Sequence, residues 1–226
     1  MITTPNWITI NLDNLKHNVD FIRAQIPEGT KILFPVKAQA YGHGILSCSY
    51  AAQKIGVDFL GVAHVFEGMV LRKHGITIPI LVLGPIKEQD FENLVAYDLT
   101  PTVNSLKAAE LLNEYVQQRS TPYNIHVKID TGMHRYGLSH SNVEQIKDLF
   151  KLANLHVEGI YTHFATADEV AESHMLQQLK NFETLTALLN ADGFEPDFIH
   201  AANSAAIINY PQSHYTMVRP GLALYG

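Results

Sequence analysis

Short apolar runs alternate with helical patterns along nearly the whole chain, and this alternation limits the possible folds more than any other feature. Eight such runs, each of four to six residues, are separated by seven segments in which apolar side chains recur at helical spacing. Eight strand–helix repeats with short links are typical of an α/β fold, the parallel (β/α)8 or TIM barrel. The predicted strands are residues 32–37, 59–62, 80–83, 99–102, 125–129, 157–162, 198–201 and 216–220.

An open doubly wound sheet is the alternative fold, but such a sheet rarely needs eight strands, and no GxGxxG motif follows any of them. We therefore favour the barrel. The predicted helices between the strands are residues 46–54, 65–74, 88–97, 105–118, 142–152, 173–189 and 204–209.

The two ends of the chain depart from a complete barrel. Residues 7–12 alternate like a strand outside the eight, and Asp13 is placed to cap the helix that follows. The sequence ends at Gly226, just after the eighth strand and without a closing helix. We therefore expect one barrel domain over residues 1–226, truncated after strand 8. The strand near residues 1–12 is then expected to pair with a missing C-terminal domain.

Charge and composition argue against several classes of function. The chain of 226 residues has 16 basic and 22 acidic side chains and a net charge of −6, the wrong sign for binding nucleic acid or an anionic membrane. A single cysteine, Cys48, rules out an internal disulfide framework. No secretory signal pattern is visible at the N-terminus, and no apolar run approaches the roughly 20 residues of a membrane-spanning helix. We expect a cytoplasmic protein.

Reactive side chains collect at the predicted carboxyl ends of the strands, where the active sites of such barrels lie. Because these polar groups come from different strands and meet on one face, we predict a ligand site there. The candidate site residues are Lys37, Tyr41, Leu83, Lys128, Arg135, His163, Asn203, Ser204, Arg219, Gly221 and Leu222.

Lys37 follows the buried apolar run of the first strand. Burial disfavours an ammonium ion, so it lowers the pKa of a lysine and yields a nucleophilic amine able to form an imine. Gly42 and Gly44 permit a tight turn and a close approach of the backbone to a ligand. A lysine that extends to solvent from the strand end explains Lys37 by itself equally well.

A phosphate site is predicted opposite this lysine. Barrels of this type often hold a phosphate with the loops after strands seven and eight and a short helix. Ser204 begins a short helix, Gly221 lets its N–H approach a ligand closely, and Tyr41 offers a hydroxyl from across the rim. Taken alone, Ser204 is better explained as a helix N-cap. A phosphate-bearing cofactor beside an imine-forming lysine indicates pyridoxal 5′-phosphate.

Three further groups fit that cofactor. Arg219 can donate to the pyridine nitrogen, which then stays unprotonated, so the ring is a weak electron sink suited to simple proton exchange at Cα. His163 can stack on the ring or orient Arg219, or it is a histidine satisfied within the core. Arg135 can reach the phenolic oxygen or a substrate carboxylate, or it forms a surface salt bridge.

Lys128 shares one strand face with His126 and Asp130, whereas the intervening apolar residues point the other way. If that polar face lines the barrel, Lys128 must pair with a charge or lose its own. A neutral amine can take up CO₂ and form a carbamate that holds Arg135; the alternative is an ion pair with Asp130. The twelve histidines form no HExxH, His-x-His or Cys/His pattern, so we expect no metal.

Taken together, these motifs resemble the alanine racemases, pyridoxal-phosphate enzymes with an N-terminal barrel and a C-terminal β domain. The resemblance runs the full length of the chain. It implies an isomerase that interconverts L- and D-alanine by two-base proton transfer, supplies D-alanine for peptidoglycan precursors and acts as a homodimer. The motifs that carry it are VKAQAYGHG (residues 36–44), KIDTGMHR (128–135), YTHF (161–164), ANS (202–204) and RPG (219–221).

The resemblance also implies roles for single residues. Lys37 is then the covalent cofactor link and one of two catalytic bases, and the phosphate is held by Tyr41, Ser204, Gly221 and Leu222. In the same way, Arg219 binds the ring nitrogen with support from His163, Arg135 faces the phenolic oxygen, and Lys128 matches a position that is carbamylated in some relatives.

Two residues depart from the family pattern: Gln39 stands where asparagine is usual, and His134 where glycine is usual. The second base of the family is a tyrosine from the C-terminal domain of the other subunit. These 226 residues alone are therefore expected to bind the cofactor but to racemise alanine poorly.

Two other protein classes remain as alternatives. A single-barrel carrier of pyridoxal phosphate without catalysis has a similar length, but it lacks the DTGMxR and RPG signatures. Related barrel decarboxylases pair the ring nitrogen with a carboxylate, and Arg219 argues against them.

Overall fold

The computed structural model describes residues 8–226 and contains a closed ring of eight parallel strands. The strands are β1 (Lys31–Pro35), β2 (Phe59–Val62), β3 (Ile80–Pro85), β4 (Thr100–Val103), β5 (Tyr123–Asp130), β6 (Leu138–Ser139), β7 (Leu155–Tyr161), β8 (Phe198–His200) and β9 (Met217–Val218). Around the ring the order is β1-β2-β3-β4-β5-β7-β8-β9, and β9 pairs with β1 to close it. The predicted TIM barrel is confirmed.

Helices surround this ring. They are α1 (Leu12–Gln25), α2 (Lys37–Tyr41), α3 (Ile45–Ile55), α4 (Val65–Lys73), α5 (Phe91–Ala96), α6 (Leu106–Tyr115), α7 (Val143–Phe150), α8 (Ser173–Ala191), α9 (Ser204–Asn209) and α10 (Leu222–Tyr225). Short 3₁₀ segments at Glu88–Asp90 and Pro211–Ser213 complete the connections. All seven helices predicted between the strands are present, the third of them divided between the first 3₁₀ segment and α5.

The outer core lies between the strands and the helices. In α1, Leu15, Val19 and Ile22 are buried, as expected for side chains that recur every three or four residues along one helix face. Val127 of β5 points outward into the same apolar layer. Because the strands are buried on both faces, their sequences are nearly continuous apolar runs.

The inside of the barrel is divided between an apolar and a polar half. Leu33, Phe59, Leu81 and Met217 form an apolar cluster near the amino ends of their strands. Towards the carboxyl ends, the inward side chains are polar or charged although they are buried: Thr102, His126, Lys128, Tyr161, His200 and Arg219. The polar half therefore leads directly to the rim where the site was predicted.

The two ends of the chain differ from expectation. Residues 1–7 lie outside the described part of the chain, so of the strand pattern at residues 7–12 only Trp7 is not described. Residues 8–11 are not in a strand, and α1 already begins at Leu12. Its N-cap is Asn11, whose side chain accepts from the N–H groups of Asp13 and Asn14. The prediction that Asp13 caps this helix is therefore wrong, because Asp13 already lies in the first turn of α1.

Among the short elements that were not predicted are strand β6 and helix α10. Strand β6 pairs with the end of β5 outside the ring, and two residues are too few to show a pattern. Helix α10 ties the end of the chain to its start, because Tyr225 Oη donates to the Pro35 carbonyl (2.8 Å) and Asn18 Nδ2 donates to the Leu224 carbonyl (3.0 Å). Within residues 8–226, none of the helices combines the length and apolar character needed to cross a bilayer.

Candidate active site

A cavity of about 360 Å³ opens at the carboxyl ends of the strands, and all of the predicted site residues line it. They come from separate parts of the chain that the barrel brings together: Lys37, Tyr41, Leu83, Lys128, Arg135, His163, Asn203, Ser204, Arg219, Gly221 and Leu222. Four of the lining side chains are basic and one, Asp168, is acidic. The cavity therefore favours an anionic ligand.

Lys37 begins an unusual turn directly after β1. The next four residues, 38–41, all have φ between 52° and 57°, which is the left-handed helical region. This conformation costs roughly 1–2 kcal/mol for each residue with a Cβ atom, so four in succession are found only where the surroundings impose them. The turn brings both Lys37 and Tyr41 to the cavity, with the lysine Nζ 5.8 Å from the centre of the tyrosine ring.

Glu67 of α4 fixes the start of this turn by a hydrogen bond to its backbone. Its buried carboxylate accepts from the N–H of Ala38 (2.8 Å) with one oxygen, and from the N–H groups of Ala63 (2.7 Å) and His64 (3.1 Å) with the other. The carboxylate thus fixes the backbone next to Lys37 relative to the end of β2. The sequence analysis did not identify Glu67, because a glutamate within a helical pattern is ordinarily exposed.

The surroundings of Lys37 favour a neutral amine. Burial lowers the pKa of Lys37, and the guanidinium groups of Arg135 and Arg219 lower it further, whereas the Glu67 carboxylate raises it. A lysine with a lowered pKa is a better nucleophile near neutral pH. Because Lys37 lines the cavity, the alternative of a side chain that merely extends to solvent is not favoured.

Tyr41, Ser204 and Gly221 meet at one end of the cavity. Ser204 is the first residue of α9, and its Oγ accepts from the N–H groups of Gly221 (2.9 Å) and Ala223 (3.1 Å). Its own proton therefore remains available for an anion. A Cβ atom at Gly221 would lie 2.9 Å from Tyr41 Oη, so only glycine leaves this end open.

The N-cap of α9 is Asn203, not Ser204. The Asn203 side chain accepts from the N–H of Ala206 (3.0 Å), which is the hydrogen bond expected of a cap. The interpretation of Ser204 as a plain cap is therefore wrong, and its hydroxyl faces the cavity instead. Asn203 also lines the cavity and, as the cap, sets the start of the helix that carries Ser204.

Arg219 is a deeply buried charge at the site, with 5% of its surface exposed. Its guanidinium donates to the carbonyls of Thr162 (2.5 Å) and Ala201 (3.0 Å) and to His200 Nδ1 (2.8 Å), and it lies over the ring of Tyr161. Burial lowers the pKa of Arg219 to about 10, which still leaves it charged at neutral pH.

His163 and Arg135 flank this group. His163 Nδ1 lies 3.5 Å from Arg219 Nη2, and burial and the neighbouring cations hold its pKa well below the usual value, so the imidazole is neutral. Arg135 is exposed at the cavity edge beside the ring of Tyr136. Among residues 8–226 no carboxylate lies within 4.0 Å of Arg135, so the predicted alternative of a surface salt bridge is not observed.

Lys128 lies inside the barrel, as its strand face predicted. Its Nζ donates to the Ile129 carbonyl (2.7 Å) and approaches the rings of Tyr136 and Tyr161. Burial and the Arg219 charge lower the pKa of Lys128 to about 7. The alternative ion pair with Asp130 is wrong, because the described residues place no carboxylate within 4.0 Å of Lys128.

Asp130 serves the following loop instead. Its carboxylate accepts from the N–H groups of Gly132 and His134 (both 3.0 Å), and its second oxygen pairs with His134 Nδ1 (3.1 Å). His134 has a φ of 54°, a conformation in which histidine is enriched among residues other than glycine. His134 therefore adopts a backbone conformation that glycine would adopt without strain, and Arg135 lines the cavity.

Several lining residues were missed by the sequence analysis. Tyr136 Oη donates to the Leu83 carbonyl (2.6 Å), and Tyr161 Oη lies 3.0 Å from Thr102 Oγ1. Tyr136 directly follows the KIDTGMHR motif and Tyr161 is the first residue of the YTHF motif, so their place in or beside these motifs could have identified them. Asp168 comes from an irregular loop between β7 and α8 with no pattern that marks it.

The fold and this rim define a class: a (β/α)8-barrel protein that presents a lysine of lowered pKa beside a basic cavity. The family model for the N-terminal domain of alanine racemase matches residues 10–226. The chain belongs to the alanine racemase family.

Individual relatives agree with this assignment. The chain is 40% identical to the alanine racemase of Methanococcus maripaludis over 228 residues, covering 100% of this chain and 61% of that protein. It also matches the solved alanine racemase of Clostridium difficile 630 in complex with cycloserine, with a TM-score of 0.96, 41% identity and coverage of 100% and 63%. For the Bacillus anthracis enzyme with bound L-Ala-P, the TM-score is 0.91, the identity 35% and the coverage 100% and 59%. The chain thus spans 59–63% of the length of these relatives.

The role of Glu67 can be tested by Glu67→Gln. Glutamine has only one acceptor oxygen, so at least one of the N–H groups that Glu67 now satisfies loses its partner, at a cost of about 1–3 kcal/mol. We expect a lower free energy of unfolding by urea and faster hydrogen exchange at the Ala38 amide. The matched control is Glu114→Gln on the exposed side of α6. Equal stability of the two variants would contradict the assigned role.

The charge state of Lys128 gives a pH dependence. Its pKa is about 7 when folded and near 10.5 when unfolded, so between these values only the unfolded chain holds the proton and stability rises with pH. Lys128→Met should therefore stabilise the fold most at pH 7 and below, and the gain should shrink towards pH 10.5. Thermal unfolding in carbonate-free buffer measures this, with the exposed Lys107→Met as control. Parallel pH profiles for wild type and Lys128→Met would refute the prediction.

Proposed function

We propose that the protein containing this chain is a pyridoxal-phosphate-dependent isomerase that interconverts L- and D-alanine. The observation that supports it most is that Lys37 and Arg219, from the two ends of the chain, line one cavity. Membership of the alanine racemase family supports the choice of reaction and substrate.

The cavity residues fit the cofactor in shape and charge. The hydroxyls of Tyr41 and Ser204 provide donors for a phosphate, and Gly221 leaves room that a Cβ atom would fill. Leu222, the residue after Gly221, and Leu83 contribute apolar surface to the walls. No acidic side chain other than Asp168 lines the cavity, which suits a dianionic group.

The basic groups have distinct tasks in this proposal. Lys37 would hold pyridoxal phosphate until the amino acid replaces it, and the cofactor would then supply the electron withdrawal from Cα that makes the Cα proton removable at neutral pH. Arg219 donates to the ring nitrogen and, being cationic, cannot accept from it. His163 keeps the guanidinium in place, and Arg135 donates to the phenolic oxygen.

Proton transfer needs two groups on opposite faces of Cα. We assign one of these two groups to the Lys37 amine. Once the amino acid has replaced Lys37 on the cofactor, this amine would take or return the proton on its own face of Cα. The buried tyrosines of the cavity are poor candidates for the second, because burial raises the pKa of Tyr41 and of Tyr161. We propose that the second base is a tyrosine outside this chain, supplied by the other subunit of a homodimer.

Lys128 has a further role in the proposal. With a pKa of about 7, a large fraction of its amine is neutral near pH 7, so it can add CO₂ to form a carbamate whose negative charge faces Arg135 and Arg219. A carbamate explains how a buried lysine without a carboxylate partner is accommodated. ¹³C NMR in labelled bicarbonate detects the carbamate directly, and its signal should disappear in Lys128→Met. If the wild-type protein shows no such signal, this role is refuted.

Covalent labelling tests the site. Incubation with pyridoxal phosphate, borohydride reduction and peptide mass mapping should place the added mass on Lys37, and Lys37→Ala should abolish both the label and racemisation. Lys87→Ala is the control, because Lys87 follows β3 at the same end of the barrel but does not line the cavity. A label on another lysine would overturn the assignment. A label on Lys37 without exchange of the alanine Cα proton in D₂O would instead favour a non-catalytic carrier.

The isolated chain tests the second base. Residues 1–226 alone should bind pyridoxal phosphate but racemise alanine about 10²–10⁴-fold more slowly than the full-length protein, the usual contribution of one general acid–base group. Racemisation is measured by following D-alanine formation in both preparations at equal cofactor occupancy. Comparable turnover would show that both bases lie within this chain.

A further inference from the structure

A line of hydrogen bonds runs through the barrel from its amino end to Arg219. Glu158 Oε2 lies 3.2 Å from His126 Nε2, His126 Nδ1 lies 2.9 Å from His200 Nε2, and His200 Nδ1 lies 2.8 Å from Arg219 Nη1. Both histidines have no exposed surface. Two buried imidazoles, those of His126 and His200, therefore connect the Glu158 carboxylate to the Arg219 guanidinium.

The position of each proton in this line follows from Arg219. Because a guanidinium only donates, His200 Nδ1 must accept, and its proton must be on Nε2. His200 Nε2 then donates to His126 Nδ1, which leaves the proton of His126 on Nε2, directed at Glu158. A second proton on either ring would bring two donors face to face, so both histidines are neutral and share one tautomer.

The backbone around Glu158 is shaped to allow this line. Pairing between β5 and β7 shifts from Ile125 opposite Val157 to His126 opposite Gly159, so Glu158 is an extra residue in β7. Such a bulge redirects a side chain. A Cβ atom at Gly159 would lie 2.5 Å from His126 Cε1 and Nδ1, so the imidazole fits inside the barrel only beside a glycine.

We propose that Glu158 is a positioning residue for Arg219, acting through His126 and His200. Its negative charge favours the tautomer in which His200 offers a lone pair to the guanidinium. With one nitrogen fixed on His200 and the other on the Thr162 and Ala201 carbonyls, the guanidinium keeps one orientation at the cavity. The effect on catalysis rests on the proposed function, in which Arg219 binds the cofactor ring, but the tautomers do not.

Histidine tautomers can be measured without any assay of activity. In ¹⁵N NMR of the full-length protein, with and without pyridoxal phosphate, His126 and His200 should each show a protonated Nε2 and an unprotonated Nδ1. His126→Gln assigns the signals by their loss. A proton on Nδ1 of either ring in the wild-type protein overturns the proposal, whether or not any variant of Glu158 folds.

The variant Glu158→Gln removes the charge while keeping the size of the side chain. We expect the single-tautomer pattern of His126 and His200 to be lost, and kcat to fall about tenfold with KM unchanged, a loss typical of outer hydrogen-bond partners of functional histidines. Glu144→Gln, at an exposed position of α7, is the control with the same charge change and should leave both unaltered. Glu158→Asp, which retains the charge, should restore part of kcat.

The outcomes separate this proposal from the proposed function. Wild-type histidine signals and unchanged kcat in a folded Glu158→Gln protein would overturn it. If Lys37 is not labelled by pyridoxal phosphate but the tautomers respond to Glu158, the positioning role stands and the cofactor assignment fails. If Lys37 is labelled and racemisation occurs, but the tautomers of His126 and His200 do not change in Glu158→Gln, the proposed function stands and the positioning role fails.

Discussion

The buried charge of Arg219 governs the chemistry of the whole cavity. Within the described residues no carboxylate lies within 4.0 Å of its guanidinium, which is held by two backbone carbonyls and a histidine. A buried cation satisfied by neutral groups keeps its positive field. That field, together with burial, lowers the pKa of Lys37, Lys128 and His200. One permanently charged group thus shifts its neighbours towards their neutral forms, and neutral amines are the reactive form.

The opposite side of the cavity depends on a strained backbone. The left-handed turn after Lys37 persists because the carboxylate of Glu67 holds its first N–H and the ring of Tyr225 stacks on Tyr41 at its end, 5.0 Å between centres. These supports come from α4 and α10, on either side of β1. Strain of this kind at a functional site fixes the direction of a side chain more narrowly than a relaxed helix would. The same turn therefore sets both the position of Lys37 and the end of the cavity at which Tyr41, Ser204 and Gly221 meet.

Much of the fold could be predicted from the sequence, and the reason is geometric. Parallel strands covered on both faces produce uninterrupted apolar runs, and their carboxyl ends necessarily share one rim, so the residues after each run had to converge. The polar face of β5 with His126 and Lys128 was likewise visible from the period of two. These inferences needed only local patterns and one rule of barrel topology.

The features that escaped prediction depend on contacts between distant segments. An alanine-rich sequence after Lys37 gives no sign of a left-handed turn, because alanine favours the right-handed helix and only Glu67 and Tyr225 impose the alternative. The bulge at Glu158 follows from the register between β5 and β7, which cannot be seen in the sequence of either strand alone. The same holds for Tyr161, whose hydroxyl meets Thr102 from another strand. Burial of polar groups was predictable; their partners were not.

Closure of the barrel by β9 against β1 has a consequence for synthesis on the ribosome. The residues proposed to bind the two ends of the cofactor ring lie near the beginning and the end of this chain, and β1 exposes an unpaired edge until β9 has been translated. If the ring is held as proposed, a nascent chain cannot bind both of its ends before almost all of this domain has been translated. During that interval the open edge is a risk for aggregation, which rapid folding or a chaperone has to cover.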